Sequence, residues 1–323
     1  MLVGTIRAPS TVSAITNQDG NNEVTIVYTS RIEHSMDRHS GSEGTAPMPS
    51  VTVNGLKIAY TESGEGTPFL MLPGTGENKE YWHEYQMPFF SKHFRVITVD
   101  QRGIGESDRV EAQFETRDLA ADAIGLLDAI GATEPAHVMG HSMGGRTAQW
   151  MALDHPDRVR TLVLVSSGSG QYDPAKPVER TPPIWQLVKM IEMGFEAYTR
   201  NNMTGRLGFS DDFRREHPEI LERIYKNFQD SGANAQSYLL YTAARQRHET
   251  TDRLPEITSP TLVMYGEGDT VMGGTSFHPA SSKVLADRIP NGELKVIPGG
   301  AHHIFWELPD QTNEAILEFL LRN

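Results

Sequence analysis

The chain has 323 residues, 38% of them hydrophobic and 22% charged, a balance that excludes wholesale disorder and suffices for one large domain with a substantial core. A formal net charge of −13 makes a phosphate backbone a poor partner, and the absence of cysteine excludes disulfides, thiolate nucleophiles and Cys-ligated zinc. No apolar run approaches the roughly 20 residues of a membrane span and no sustained apolar h-region opens the chain, so a cytoplasmic protein with neither membrane nor nucleic-acid partners is expected.

Residues 1–49 read as an N-terminal extension. The stretch HSMDRHSGSEGTAPMPS is rich in Ser, Gly and Pro and predicts a flexible linker, while EVTIVYTS has the composition of one short strand. Met36 and Met48 both precede the first regular segment, which leaves the start of translation open, and no part of the chemistry is expected here.

From Val51 the pattern becomes regular. VTVNGLKIAYTE predicts two strands joined at Asn54-Gly55. The apolar runs PFLMLPG, RVITVD, AHVMG, TLVLVSS, TLVMYGE and ELKVIPG suit strands buried on both faces of a parallel sheet. Helical patterns alternate with them. TRDLAADAIGLLDAIGA sets Leu119, Ala123, Leu126, Leu127 and Ile130 on one face, MGGRTAQWMALDHP stops before Pro156, and QTNEAILEFLLR carries a stripe of Ala315, Ile316, Phe319 and Leu320. Such alternation means an α/β fold with right-handed crossovers.

Roughly ninety residues between TLVLVSSGSG and TLVMYGE contain no core strand, far more than an ordinary connection. Helical patterns and large apolar side chains (Trp185, Met190, Met193, Phe195, Tyr198, Phe209, Phe228, Tyr238 and Tyr241) predict a helical cap over 171–258, inserted in a core made of 50–170 and 259–323.

Gly140-His141-Ser142-Met143-Gly144 matches G-x-S-x-G. The pentapeptide alone is weak, but an apolar strand runs into it and a helix leaves it, the setting that holds a serine in a strained turn clear of the sheet. Glycines at 140 and 144 remove Cβ atoms that would obstruct the turn. The competing structural reading is an ordinary βα turn with Ser142 as a helix cap. A serine nucleophile needs a base held by a carboxylate, and in this setting the order is Ser, acid, His. Asp269, beyond the strand TLVMYGE, is the preferred acid and Glu267 the runner-up. Of the adjacent His302 and His303, His302 directly after the Gly-Gly-Ala turn is the preferred base, and His303 is expected to pack or face solvent.

These stretches resemble the α/β-hydrolase superfamily, and most closely its small bacterial esterases, enol-lactonases and C–C bond hydrolases. RVITVDQRGIGESD is similar to the family segment after the fourth strand, GHSMGG to its nucleophile elbow, HPDRVRTLVLVSS to its run into the sixth strand, and GAHHIFWELPDQTNEAILEFL to its Gly-x-His segment. The resemblance implies an α/β-hydrolase fold, a mostly parallel twisted sheet flanked by helices. It implies His302 as base, because Glu307 and Pro309 set that register. It also implies backbone oxyanion donors at Thr75 and Met143. Where the family usually carries His-Gly after the third strand this chain has Pro73-Gly74, a departure that leaves backbone donors in place. Thr75 could add a hydroxyl donor, and Gly76 suggests a loop that approaches substrate closely. Asp100, Arg102 and Asp108 match a structural loop and are expected to be scaffold.

Serine at the elbow, rather than the aspartate of haloalkane dehalogenases and epoxide hydrolases, implies chemistry at a carbonyl. The expected activity is hydrolysis of a carboxylic ester or lactone of a small apolar or aromatic substrate. The alternatives are a C–C bond hydrolase, or a cofactor-free lyase or perhydrolase, with the same triad, and a non-catalytic receptor. No cofactor and no metal are expected, the partner is a small-molecule substrate, and self-association into a homo-oligomer stays open.

Overall fold

The computed structural model describes residues 49–170, 184–271 and 278–323. The expectations for the N-terminal extension, its strand EVTIVYTS, Met36 and Met48 lie outside the described residues. Strands β1 (Ser50–Val53), β2 (Leu56–Ser63), β3 (Pro68–Leu72), β4 (Arg95–Val99), β5 (Ala136–His141), β6 (Val159–Val165), β7 (Thr261–Gly266) and β8 (Gly292–Ile297) form one sheet in the order β1-β2-β4-β3-β5-β6-β7-β8. The pairs β1–β2 and β2–β4 are antiparallel and every other pair is parallel. At the β1–β2 turn Asn54 (φ 51°) and Gly55 (φ 80°) are both left-handed, the twist that a two-residue hairpin requires.

Helices α1 (Gln86–Phe90), α2 (Thr116–Ala129) and α3 (Met143–Asp154) fall within the first half of the sheet. Five more, α4 (Ile184–Met193), α5 (Phe195–Thr204), α6 (Asp211–Glu216), α7 (Pro218–Asp230) and α8 (Ala235–Arg247), lie between β6 and β7. Then α9 (His278–Arg288), α10 (Ile304–Glu307) and α11 (Pro309–Arg322) complete the chain. Period-2 alternation splits the core into two layers. Leu70 and Leu72 of β3 join the α2–α3 layer, while Phe69 and Met71 join the opposite layer with Phe305, Ile316 and Phe319. The α2 stripe is buried as its period demands, and a reciprocal capping box between Glu115 and Asp118 fixes where the helix begins.

Strands β3, β5 and β7 are wholly buried, as continuous apolar runs should be. The reading of ELKVIPG as a strand covered on both faces is corrected. β8 is the edge strand, and Glu293, Leu294 and Lys295 are exposed. Among the described residues no helix is long and apolar enough to cross a membrane.

The segment after β4 is scaffold, as expected. Asp100 is fully buried and accepts from the Lys79 and Glu106 backbone N–H groups and from Lys79 Nζ at 2.8 Å. Arg102 grips Asp122 of α2 with two bonds of 2.6 and 2.7 Å, and Asp108 accepts from Lys57 N. This network ties the β4 loop to the β3 loop on one side and to α2 on the other.

Candidate active site

Ser142 stands between β5 and α3 at φ 52°, ψ −110°, a conformation that L-residues rarely adopt and that costs on the order of 1–3 kcal/mol. Its surroundings enforce it. A Cβ on Gly140 would collide with the Gly144 carbonyl, and a Cβ on Gly144 would collide with the Leu72 carbonyl and lie 2.7 Å from that of Pro73. Ser142 N donates to Val165 O and Ser142 O accepts from Ser167 Oγ, both at 2.8 Å, which pins the turn to β6. The Ser142 side chain makes no capping bond to α3, so the helix-cap reading fails.

Asp269 follows β7. Its Oδ1 accepts from Val271 N and its Oδ2 lies 2.9 Å from His302 Nδ1. Burial alone would raise the Asp269 carboxyl, but His302 and His278 beside it hold it well below the usual carboxylate range. An ionised Asp269 favours the Nδ1–H tautomer of His302 and leaves Nε2 as the basic nitrogen. Glu267 instead is exposed and accepts from Gly299 N. The loop that presents His302 is braced by Glu307, which accepts from Ala301 N at 2.5 Å and from Ser210 N at 2.7 Å.

Ser142, His302 and Thr75 line one cavity of about 410 Å³. Among the described residues no hydrogen bond joins Ser142 to His302. In free enzymes this bond is often long and tightens once substrate is present. Thr75 lies on the loop after β3, with its Oγ1 3.7 Å from the Met143 sulfur, so the two candidate oxyanion residues are neighbours at the mouth of α3. Gly76 has φ 77°, and an ideal Cβ there would lie 2.9 Å from Phe228 Cε2 and 3.4 Å from Tyr238 Cδ2, so the bare backbone makes room for α7 and α8.

The cavity wall is mixed rather than purely apolar. Met193, Tyr198 and Tyr238 supply apolar surface, while Lys189, Asn202 and Arg245 supply polar groups. Phe209, Phe228 and Tyr241 pack within apolar clusters instead, and the Trp185 side chain lies outside the described residues.

His303 is buried, stacked on Phe209 and hydrogen-bonded to the Tyr81 hydroxyl at 2.9 Å. Burial holds its pKa well below the ordinary value, so it is a neutral packed imidazole, as expected. Four residues went unanticipated. Glu77 accepts from Gly74 N at 2.6 Å and lies 3.5 Å from His141 Nδ1, while Tyr81 stacks on His141. His278, the first residue of α9, places its Nδ1 3.2 Å from both Asp269 Oδ2 and His302 Nδ1. Its only sequence signal is a histidine before Pro279 within ten residues of Asp269. Among the described residues, two groups of side chains could converge on a metal ion, Asp269–His278–His302 and Glu77–His141–His303, where the sequence suggested none.

The family model described as the alpha/beta hydrolase fold matches residues 67–309. Among curated relatives, a 2-hydroxy-6-oxononadienedioate/2-hydroxy-6-oxononatrienedioate hydrolase of Pseudomonas putida is 29% identical over 82% of this chain and 92% of its own. Among solved structures, Est816, described as an N-acyl homoserine lactone degrading enzyme, is 30% identical with a TM-score of 0.69 over 84% of this chain and all of its own. A thermophilic esterase from Thermogutta terrifontis is 26% identical with a TM-score of 0.71, covering 86% of this chain and 99% of its own.

Proposed function

Because this chain belongs to the α/β hydrolase family, we propose that it is a serine hydrolase that opens a carboxylic ester or lactone through an acyl-enzyme. The observation that carries the proposal is the strained left-handed Ser142, set in the same cavity as an imidazole whose Nδ1 is held by an ionised carboxylate. Ser142 Oγ attacks the carbonyl carbon while His302 Nε2 takes its proton. The backbone N–H groups of Thr75 and Met143 receive the oxyanion, with the N-terminal dipole of α3 behind them. His302 returns the proton to the leaving alkoxide, and water then resolves the acyl-enzyme by the same route. Helices α4–α8 act as a cap that closes the cavity over a small substrate carrying both apolar and polar groups.

A second reading, cleavage of a C–C bond beside a ketone, is supported by the similarity to the Pseudomonas putida hydrolase and uses the same residues. A panel of 4-nitrophenyl esters, acyl lactones and ring-fission diketones, run with wild type and Ser142→Ala, separates the two. The proposal requires turnover of esters or lactones that Ser142→Ala lacks. Turnover confined to diketones moves the assignment to the second reading, and equal ester turnover by both proteins removes Ser142.

A further inference from the structure

A serine, a base and a carboxylate need one imidazole, yet a second imidazole shares the Asp269 carboxylate. His278 and His302 stack almost parallel, with centroids 4.8 Å apart and planes 12° apart, so that both Nδ1 atoms meet Asp269 Oδ2. The three donor atoms form a nearly equilateral triangle with edges of 2.9, 3.2 and 3.2 Å. All three side chains are buried.

We propose that Asp269, His278 and His302 form a site for a divalent transition cation of the zinc type, and that a cation there switches the hydrolase off. Tetrahedral coordination at about 2.0–2.2 Å places neighbouring donors about 3.3 Å apart, so the triangle needs to open by only a few tenths of an ångström. Two imidazoles and one carboxylate suit Zn²⁺ or Cu²⁺, whereas Mg²⁺ and Ca²⁺ prefer oxygen. Of the three side chains, His302 lines the cavity, as do Thr270 and Val271 next to Asp269, so the site lies directly behind the cavity wall.

The switch follows from tautomerism. A neutral imidazole carries one N–H. When a cation takes Nδ1 of His302, the ring proton sits on Nε2, and the total number of protons on the ring is unchanged. An Nε2–H group is a donor and has no lone pair for the Ser142 proton, so the base is lost although no residue is displaced. Capture of Asp269 by the same ion removes the charge that would stabilise an imidazolium. Binding rests on geometry alone, while its inhibitory effect rests on His302 being the base.

The test uses zinc chloride on the full chain at neutral pH. Binding is read by competition with a chromogenic chelator on Ser142→Ala, which lacks the proposed nucleophile, and inhibition is read on the wild type. The expected results are a zinc equivalent on Ser142→Ala that His278→Gln in the same background loses, zinc inhibition of the wild type that EDTA reverses, and no effect of magnesium. His278→Gln and His278→Phe, the latter keeping a flat ring against His302, are each compared with their own rate in EDTA. Both should raise the inhibitory zinc concentration at least tenfold. Glu77→Gln, which alters the neighbouring Glu77–His141–His303 group, should leave it unchanged. Zinc inhibition that survives both His278 variants, or that disappears with Glu77→Gln, overturns the proposal. Loss of the zinc equivalent with His278→Gln without any zinc inhibition of wild type retains the site and removes the switch. Ester turnover by Ser142→Ala would sink the hydrolase reading and leave the binding result standing.

Discussion

Gly144→Ala tests how the elbow and the oxyanion loop depend on each other. Gly144 is the second residue of α3 and lies against the end of β3, just before Thr75. An ideal Cβ there would lie 2.7 Å from the Pro73 carbonyl oxygen and closer still to that of Leu72. Ordinary van der Waals contact begins near 3.4 Å, so the strand end must retreat by about 0.7 Å at Pro73, and close-packed interiors give such room only by moving backbone. That backbone carries the Thr75 N–H. A misplacement approaching 1 Å at a catalytic group costs on the order of 10²-fold, and loss of one oxyanion donor costs about 10²–10³-fold. We therefore expect kcat on a 4-nitrophenyl ester to fall by about 10²-fold with KM changed less than threefold. Overpacking should also lower the unfolding free energy by about 1–3 kcal/mol, read by denaturant titration. A Gly144→Ala enzyme that keeps kcat within a factor of three, with wild-type stability, would refute the coupling of this glycine to the oxyanion loop.

Three further outcomes are expected. Asp269→Asn should reduce kcat about 10³–10⁴-fold with little change in KM, because an amide holds the ring without stabilising its cationic form, and steady-state kinetics check this. Lys79→Met removes the cation from the fully buried Asp100 and should destabilise the fold by about 3–5 kcal/mol, measured by denaturant unfolding. Burial, with Arg160 nearby, holds His137 at a pKa of about 4 against an ordinary 6.5. Between those values the unfolded chain binds the extra proton, so this contribution to stability is intact above about pH 6.5 and is lost as pH falls toward 4, by about 3 kcal/mol in all. His137→Gln should flatten that part of the pH–stability curve, and an unchanged curve would remove His137 as its source.

The parallel strands and the elbow were legible because they rest on local rules, namely continuous apolar runs, a strand–turn–helix context and two glycines at fixed offsets. The edge position of β8 was not, because ELKVIPG has the composition of a buried run and only its neighbours decide which face is covered. The packing of Gly76 against Phe228 was not legible, because that side chain lies about 150 residues away in sequence. His278 was invisible for the same reason, since nothing in GGTSFHPASS announces that the start of α9 meets the loop after β7. Pairing of Asp269 with His302 was recoverable because their order and their positions after strands are fixed by topology.

The central claim is that the hydroxyl of Ser142 becomes the nucleophile through His302. Reaction with a fluorophosphonate, followed by peptide mass spectrometry, addresses it directly. One covalent adduct on the peptide containing Ser142, absent from Ser142→Ala and formed at least a hundredfold more slowly by His302→Gln, is the result required. An adduct on another residue, or labelling at the wild-type rate without the imidazole at 302, would contradict it.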